Sequence, residues 1–152
     1  MLLKNKNAVI YGAGGSIGGA VARAFAREGA KVFLAGRTLA KLDAVARGIS
    51  KAGGAPEIAQ VDALDKQAVD AHVDEVVGKV GRLDISFNVI GMEDVQGAPL
   101  IDMSLDDFAR PIGVGTRTQF LTAGAAARRM VKQGSGVILM ITSDASAVRE
   151  FR

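Results

Sequence analysis

The sequence predicts an α/β fold in which a doubly wound parallel sheet carries helices on both faces. Short apolar runs alternate with longer amphipathic segments along the 152 residues. This alternation is typical of strands that crossover helices bury from both sides. Right-handed crossovers place the five strands in the order 3-2-1-4-5. A chain with 49% hydrophobic and 23% charged residues suits a single domain over 1–152.

The predicted strands are short apolar runs, each followed by a glycine, a polar residue or a turn. The first ends at Tyr11, just before a glycine-rich turn, and the fourth ends at Asn88. Because parallel strands end at the same edge of a sheet, the residues after them should line one cleft. In chain order the strands are expected at 8–11, 31–35, 57–61, 83–88 and 137–141.

The predicted helices carry apolar residues at a spacing of three to four. Thr38 is positioned to cap the second helix. In the fourth, Pro111, Gly113 and Gly115 predict an irregular first half. In chain order the helices are expected at 17–28, 39–49, 65–80 and 104–131.

Composition narrows the classes of partner. A formal charge of +3 with 5% aromatic residues gives no stacking platform beside a basic stripe, so nucleic acid is not expected. The tightest basic group, Arg128, Arg129 and Lys132, is expected at a helix C-terminus, where cations offset the helix dipole. The lack of cysteine excludes thiolate sites, and we expect no metal. No signal peptide or membrane-spanning run is found, which predicts a cytoplasmic protein.

Residues 12–18, Gly-Ala-Gly-Gly-Ser-Ile-Gly, connect the first strand to the first helix. Glycines let the backbone approach a ligand, and the helix start offers free N–H groups and a positive dipole end to phosphate. The turn is not a P-loop, because Gly18 is followed by Gly-Ala and not by lysine and a hydroxyl residue. The pattern predicts a dinucleotide diphosphate site, with a plain tight connection as the alternative.

The end of the second strand indicates which dinucleotide is bound. An NAD site usually has an acid there that accepts from the ribose 2′-hydroxyl. Residues 34–38, Leu-Ala-Gly-Arg-Thr, contain no acid, and the next carboxylate is Asp43. Arg37 stands where a 2′-phosphate would lie, and a charged hydrogen bond contributes roughly 1.5–3 kcal/mol. The sequence therefore predicts NADP(H), with a merely solvated Arg37 as the alternative.

Four motifs in the right order resemble the N-terminal part of the short-chain dehydrogenase/reductase family. Residues 11–18 resemble its Thr-Gly-x-x-x-Gly-x-Gly turn, with tyrosine and serine at two positions. Residues 62–63 resemble the dipeptide that contacts adenine, and 81–91 resemble Gly-x-Leu-Asp-x-Leu-Val-Asn-Asn-Ala-Gly. Residues 136–143 resemble the strand that ends at the catalytic serine. The resemblance implies a Rossmann-type fold, hydride transfer between NADP(H) and a carbonyl or alcohol substrate, and a homodimer or homotetramer.

The resemblance also implies roles for the matching residues. Ser143 would be catalytic and donate a hydrogen bond to the substrate oxygen. Asn88 would tie the central strands together through its amide. The cofactor would be bound by Gly12, Gly14, Gly15, Ser16, Ile17, Gly18, Arg37, Asp62, Ala63, Asn88, Val89 and Gly91.

Departures from the family pattern bear on activity. Val89 and Ile90 replace an asparagine and an alanine, and Gly115 stands at the position of the catalytic asparagine. The Tyr-x-x-x-Lys motif, which supplies the general acid and base, is not in the sequence; its only tyrosine, Tyr11, belongs to the predicted phosphate turn. We expect such a chain to be inactive alone. The alternatives are an NADP(H)-binding module without catalysis and a longer chain. The lone His72 is expected to be structural.

Overall fold

The computed structural model describes residues 1–141. Its strands are β1 (Asn7–Tyr11), β2 (Lys31–Gly36), β3 (Glu57–Gln60), β4 (Ile85–Asn88) and β5 (Val137–Met140). Its helices are α1 (Ser16–Arg27), α2 (Leu39–Lys51), α3 (Lys66–Val80) and α4 (Leu105–Gln133), with one 3₁₀ turn at Leu100–Asp102. The strands form one parallel sheet in the order β3-β2-β1-β4-β5. The predicted fold class and strand order are confirmed.

β1 lies at the centre of the sheet and pairs in parallel with both β2 and β4. Its last residue, Tyr11, lies opposite Ala35 of β2 and Asn88 of β4. The direction of the connections reverses at β1, with β2 and β3 on one side and β4 and β5 on the other. Such a reversal leaves a crevice above the carboxyl ends of the strands.

The sheet separates two hydrophobic cores. Successive residues of β1 point into opposite cores, as the two-residue period of a strand requires. Ala8 and Ile10 pack in the core beneath α1 and α2, while Val9 and Tyr11 pack in the core beneath α3 and α4. All four are at most 1% exposed. The central strand is thus shielded on both faces, which fixes the positions of the loops at its end.

Two predicted helix ends are confirmed, and one cap differs in detail. The Asp65 carboxylate accepts hydrogen bonds from the backbone N–H groups of Gln67 (2.8 Å) and Ala68 (3.2 Å) at the start of α3. Gly81 ends that helix with φ of 79°. Thr38 lies at the N-cap of α2 but makes no side-chain capping hydrogen bond.

The irregular first half predicted for the long helix is wrong, because α4 is continuous over 29 residues. Pro111 lies in its second turn and removes only the hydrogen bond to the carbonyl one turn earlier. Ser104 caps the helix by accepting from Asp107 N–H at 3.1 Å. Neither α4 nor any other helix within 1–141 combines the length and apolar character needed to cross a membrane.

The basic residues near the end of α4 do more than face the helix dipole. Arg128 forms an ion pair with Asp70, and Arg129 forms one with Asp74. Both carboxylates belong to α3, so the two arginines join α4 to its neighbour. The sequence prediction missed this pairing because the partners are 58 and 55 residues apart.

Candidate functional site

The glycine turn after β1 brings two strand ends into close contact. Gly12 has φ of +80°, a left-handed conformation that favours glycine. A Cβ at Gly12 would lie 2.8 Å from the carbonyl oxygen of Val89, which follows β4. The Gly12 N–H donates to the carbonyl of Ala35 at 2.9 Å. Backbone atoms of β2 and of the loop after β4 therefore pack directly against the turn.

The start of α1 presents unpaired N–H groups beside this turn. Its N-cap, Gly15, has no side chain to satisfy them, and no acidic residue lies in the first turn. Gly18 is packed so closely that a Cβ would lie 2.9 Å from the Cα of Ala13. Ser16 and Ile17 are exposed at the helix start. This end of α1 is electropositive and open, as anion binding requires.

Arg37, directly after β2, reaches across the mouth of the crevice. Its Nη2 donates to Oε1 of Glu93 at 2.7 Å, and this hydrogen bond raises the pKa of the guanidinium. Its backbone carbonyl accepts from the amide of Gln60 at 3.0 Å, which fixes the strand end. Lys41, in the first turn of α2, lines the same crevice and forms no ion pair among residues 1–141. The site thus has two cations, one already paired.

The end of β3 contributes a carboxylate and a small apolar surface. Oδ1 of Asp62 accepts from the backbone N–H of Leu64 at 2.9 Å, which holds the loop in a tight turn. Ala63 is 4% exposed and packs in the core beneath α3. Both residues line the crevice within reach of the strand-end loops.

The Asn88 side chain is buried beneath the crevice and organises the loop after β4. Its Oδ1 accepts from the N–H of Ile90 at 3.0 Å, and its Nδ2 donates to Oγ1 of Thr122 at 3.1 Å. The Thr122 hydroxyl then donates to the carbonyl of Thr118 at 2.8 Å. The amide therefore ties β4 to α4, whereas the sequence had suggested a tie between the central strands.

These loops enclose one crevice of about 460 Å³ at the carboxyl edge of the sheet. Eight of the twelve predicted binding residues line it: Gly12, Gly14, Gly15, Arg37, Asp62, Ala63, Val89 and Gly91. Ser16, Ile17 and Gly18 lie on α1 just beyond it, and Asn88 lies under its floor. The structure thus brings the residues of four strand ends together.

The sequence prediction missed other residues in the lining. Lys41 and Glu93 add charge, and Val114 and Thr118 of α4 form part of the wall. Lys41 follows Arg37 by four residues and lies in the first turn of the helix that starts at this edge. That spacing was available in the sequence. The position of Glu93, 56 residues from its partner, was not.

Gly115 is buried on the α4 wall, and a methionine packs over it. A Cβ at Gly115 would lie 2.9 Å from the sulfur of Met92. The hydroxyl of Thr118 donates to the Gly115 carbonyl at 3.2 Å. Position 115 therefore has no side chain to project toward the crevice, and the thioether of Met92 fills the space next to its Cα.

Tyr11 and His72 form a buried aromatic pair below the site. Their ring centroids are 6.0 Å apart in an edge-to-face arrangement. Tyr11 is 1% exposed, so its side chain lies in the core and only its backbone leads into the glycine turn. Desolvation raises the pKa of the Tyr11 hydroxyl and lowers the pKa of His72. The structural role predicted for His72 agrees with this position. The predicted catalytic Ser143 lies outside the described residues.

Comparison of the sequence with known proteins identifies the family to which it is similar. A family model for short chain dehydrogenases matches residues 6–152. An uncharacterized oxidoreductase of Bacillus subtilis (strain 168) is 35% identical over 136 residues, which are 90% of this chain and 50% of the relative. The chain spans about half the length of the curated relatives it matches.

Solved structures with this architecture include enzymes bound to either nicotinamide cofactor. A metagenomic short-chain oxidoreductase in complex with NADP is 34% identical, with a TM-score of 0.85 over 95% of this chain and 65% of its own. A NAD⁺-bound xylitol dehydrogenase is 30% identical, with a TM-score of 0.87 over 99% of this chain and 57% of its own. The family match, the strand order and the glycine turn agree, and the chain belongs to the short-chain dehydrogenase/reductase family.

Proposed function

We propose that these 152 residues form one NADP(H)-binding domain of a cytoplasmic short-chain dehydrogenase/reductase. The observation that carries the proposal is Arg37, whose guanidinium lies in the crevice at the end of a strand that has no acid there. A guanidinium at this place favours a nucleotide with a 2′-phosphate over one with a 2′-hydroxyl. Since family members bind NADP or NAD⁺, the cofactor choice rests on Arg37 and not on family membership.

The shape of the crevice fits a dinucleotide. Gly12, Gly14 and Gly15 give the crevice a stretch of wall without side chains that a diphosphate could approach, and the open start of α1 supplies N–H donors. Asp62 and Ala63 line the crevice at the end of β3, which supports the proposal that they hold the adenine. Lys41 would add a second positive charge near the phosphates.

When bound, NADP(H) supplies or accepts the hydride that is exchanged with a carbonyl or alcohol substrate. The residues of this chain bind and orient the cofactor, and Ser143 would donate a hydrogen bond to the substrate oxygen. The sequence contains no Tyr-x-x-x-Lys pair to move the proton. We therefore propose that the 152 residues bind NADP(H) without turning over substrate.

Paired titrations test the cofactor proposal. NADPH and NADH are titrated calorimetrically into the wild-type chain, Arg37→Ser and Arg27→Ser, an exposed control in the last turn of α1. We expect wild type to bind NADPH about tenfold more tightly or better, and Arg37→Ser to weaken NADPH about 10- to 100-fold while NADH changes less than about twofold. The control should match wild type. If wild type binds both cofactors equally, Arg37 is only a solvated surface charge and the cofactor proposal is wrong.

A second candidate is that a full-length protein containing these residues would also bind NADP(H) without catalysis, and Gly115 favours it. The methionine that packs against Gly115 leaves no amide at the position where the family has its catalytic asparagine. A protein of this kind would bind NADPH saturably and would not oxidise it with any aldehyde or ketone offered. Turnover with any carbonyl substrate would exclude this alternative.

We also propose that the protein is a homodimer or homotetramer that associates through α4. Leu105, Phe108 and Ile112 are spaced along one side of this helix and are 78%, 55% and 51% exposed. Exposed apolar stripes of this kind are typical of interfaces. Sedimentation equilibrium of the chain measures the assembly, and a monomer at all concentrations would contradict it.

A further inference from the structure

The ion pair between Arg37 and Glu93 joins two loops that line the crevice. Arg37 follows β2, and Glu93 lies in the loop after β4; both side chains line the crevice. The side chains are 64% and 45% exposed, so the pair lies at the mouth of the crevice and not in its floor. The guanidinium that would receive a 2′-phosphate already holds a carboxylate of the protein.

The loop places this carboxylate in an unusual way. Glu93 has φ of 59°, a left-handed conformation that side-chain-bearing residues rarely adopt, and Asn5 is the other such residue among 1–141. Its neighbour Asp94 does not contact Arg37; the Asp94 carboxylate accepts from the amide of Gln96 at 2.8 Å. Two adjacent acids thus have different partners, and only one faces the crevice cation.

A 2′-phosphate at Arg37 would meet this carboxylate in one of two ways. It either displaces Glu93 and loses the 2.7 Å hydrogen bond, or it binds a second edge of the guanidinium beside a like charge. Both routes weaken the binding of a phosphorylated ribose. A ribose with a free 2′-hydroxyl carries no charge there and meets neither cost.

We propose that Glu93 is a specificity residue whose carboxylate competes with the 2′-phosphate of a nucleotide for Arg37. The proposal rests on the NADP(H) function proposed above. Glu93 acts as an internal anion, so it lowers affinity for 2′-phosphorylated nucleotides and leaves other adenine nucleotides little changed. Nucleotide binding opens the link between the two loops.

The test uses two probes that differ only at the 2′ position, adenosine 2′,5′-bisphosphate and adenosine 5′-monophosphate. Calorimetry gives the dissociation constant of each for the wild-type chain, Glu93→Gln and Asp94→Asn. The two variants remove the same charge from adjacent exposed positions of one loop. Circular dichroism checks that each variant is folded.

We expect Glu93→Gln to bind the bisphosphate about three- to tenfold more tightly than wild type, as loss of an exposed competing ion pair predicts. The monophosphate should change less than about twofold, and Asp94→Asn should change neither by more than about twofold. Equal gains in both variants would overturn the proposal, because general charge would explain them. Weaker bisphosphate binding by Glu93→Gln would also overturn it, since Glu93 would then orient Arg37 for the ligand.

Failure of the underlying function gives a different result. If wild type and Arg37→Ser bind the bisphosphate equally, Arg37 does not receive the 2′-phosphate, and the NADP(H) proposal fails. If Arg37→Ser weakens the bisphosphate but Glu93→Gln leaves it unchanged, only the role of Glu93 fails.

Discussion

The two edges of the sheet differ in how they meet solvent. At the β3 edge, residues alternate between half-buried and exposed, and Glu57 forms ion pairs with Lys31 (2.8 Å) and Lys79 (3.0 Å). At the β5 edge, the sequence Val-Ile-Leu-Met has no charge, and Val137 and Met140 are 51% and 46% exposed. One edge carries charges and the other exposes apolar surface.

The difference shows that the two edge strands of one sheet are not equally protected against pairing with another chain. Charged side chains on an edge strand oppose pairing with another chain. The β3 edge has this protection and needs no neighbour. β5 has the composition of a strand covered on both faces, although among the described residues only α4 packs against it. The β3 edge is therefore protected by its own charges, while the β5 edge offers apolar surface for association.

The largest expected effect is a difference in the free energy of unfolding between substitutions in the interior strand β2 and in the edge strand β5. Leu34 is 0% exposed, and Leu34→Ala should lower the free energy of unfolding by about 2–5 kcal/mol through a buried cavity. Leu139 is 38% exposed, and Leu139→Ala should lower it by about 1 kcal/mol or less. Urea unfolding at low protein concentration measures both. Similar losses would mean that β5 is as well covered as β2.

A smaller effect concerns pH and the core under β3. His72 is 6% exposed, and burial lowers its pKa below the usual value of about 6.5. The unfolded chain therefore binds more protons, so stability is fully present above about pH 6.5 and decreases as the pH falls toward the folded-state pKa. His72 is the only histidine. Urea unfolding between pH 7 and 5.5 should show this decrease, and His72→Phe should remove most of it; an unchanged slope would assign the decrease to other groups.

The smallest effect on stability is expected from two substitutions that exchange the charge of the two edges. They are also the most direct test of the comparison. Met140→Lys adds a charge to β5, and Glu57→Gln removes one from β3; each should change the free energy of unfolding by less than about 1 kcal/mol. Light scattering during concentration should show less association for Met140→Lys and more for Glu57→Gln. If Met140→Lys associates as wild type does, the β5 edge adds nothing to the association proposed through α4.

Local patterns were enough to predict the sheet. Apolar runs such as 31–35 define strands, and the order expected from right-handed crossovers is the order observed. The same patterns placed Gly12, Arg37 and Asp62 around one crevice, because residues after parallel strands meet at one edge. The long helix α4 was predicted but the regularity of its first half was not, since packing against the sheet and α3 outweighed the low helix propensity of Pro111 and its glycines.

The details of the site depend on distant pairs that leave no local pattern. Nothing near Arg37 in the sequence indicates that Glu93 will contact it, and nothing near Asn88 indicates Thr122. The sequence also did not show whether Tyr11 belongs to the strand or to the glycine turn. In the structure it is the last residue of β1, and the alternation of that strand directs its side chain into the core. The ion-pair and hydrogen-bond partners of the site residues are set by the folded chain and cannot be predicted from the local sequence.

The contact between Gly12 and the loop after β4 has a consequence for how this site tolerates mutation. The partner of Gly12 is the carbonyl of Val89, and the partner of Asn88 is the N–H of Ile90. On the loop side both contacts use main-chain atoms, so the turn itself does not dictate which side chains stand at 89 and 90. Val89 and Ile90 pack against the two cores, so these positions tolerate other apolar side chains that fit there, whereas Gly12 and Asn88 are constrained in identity.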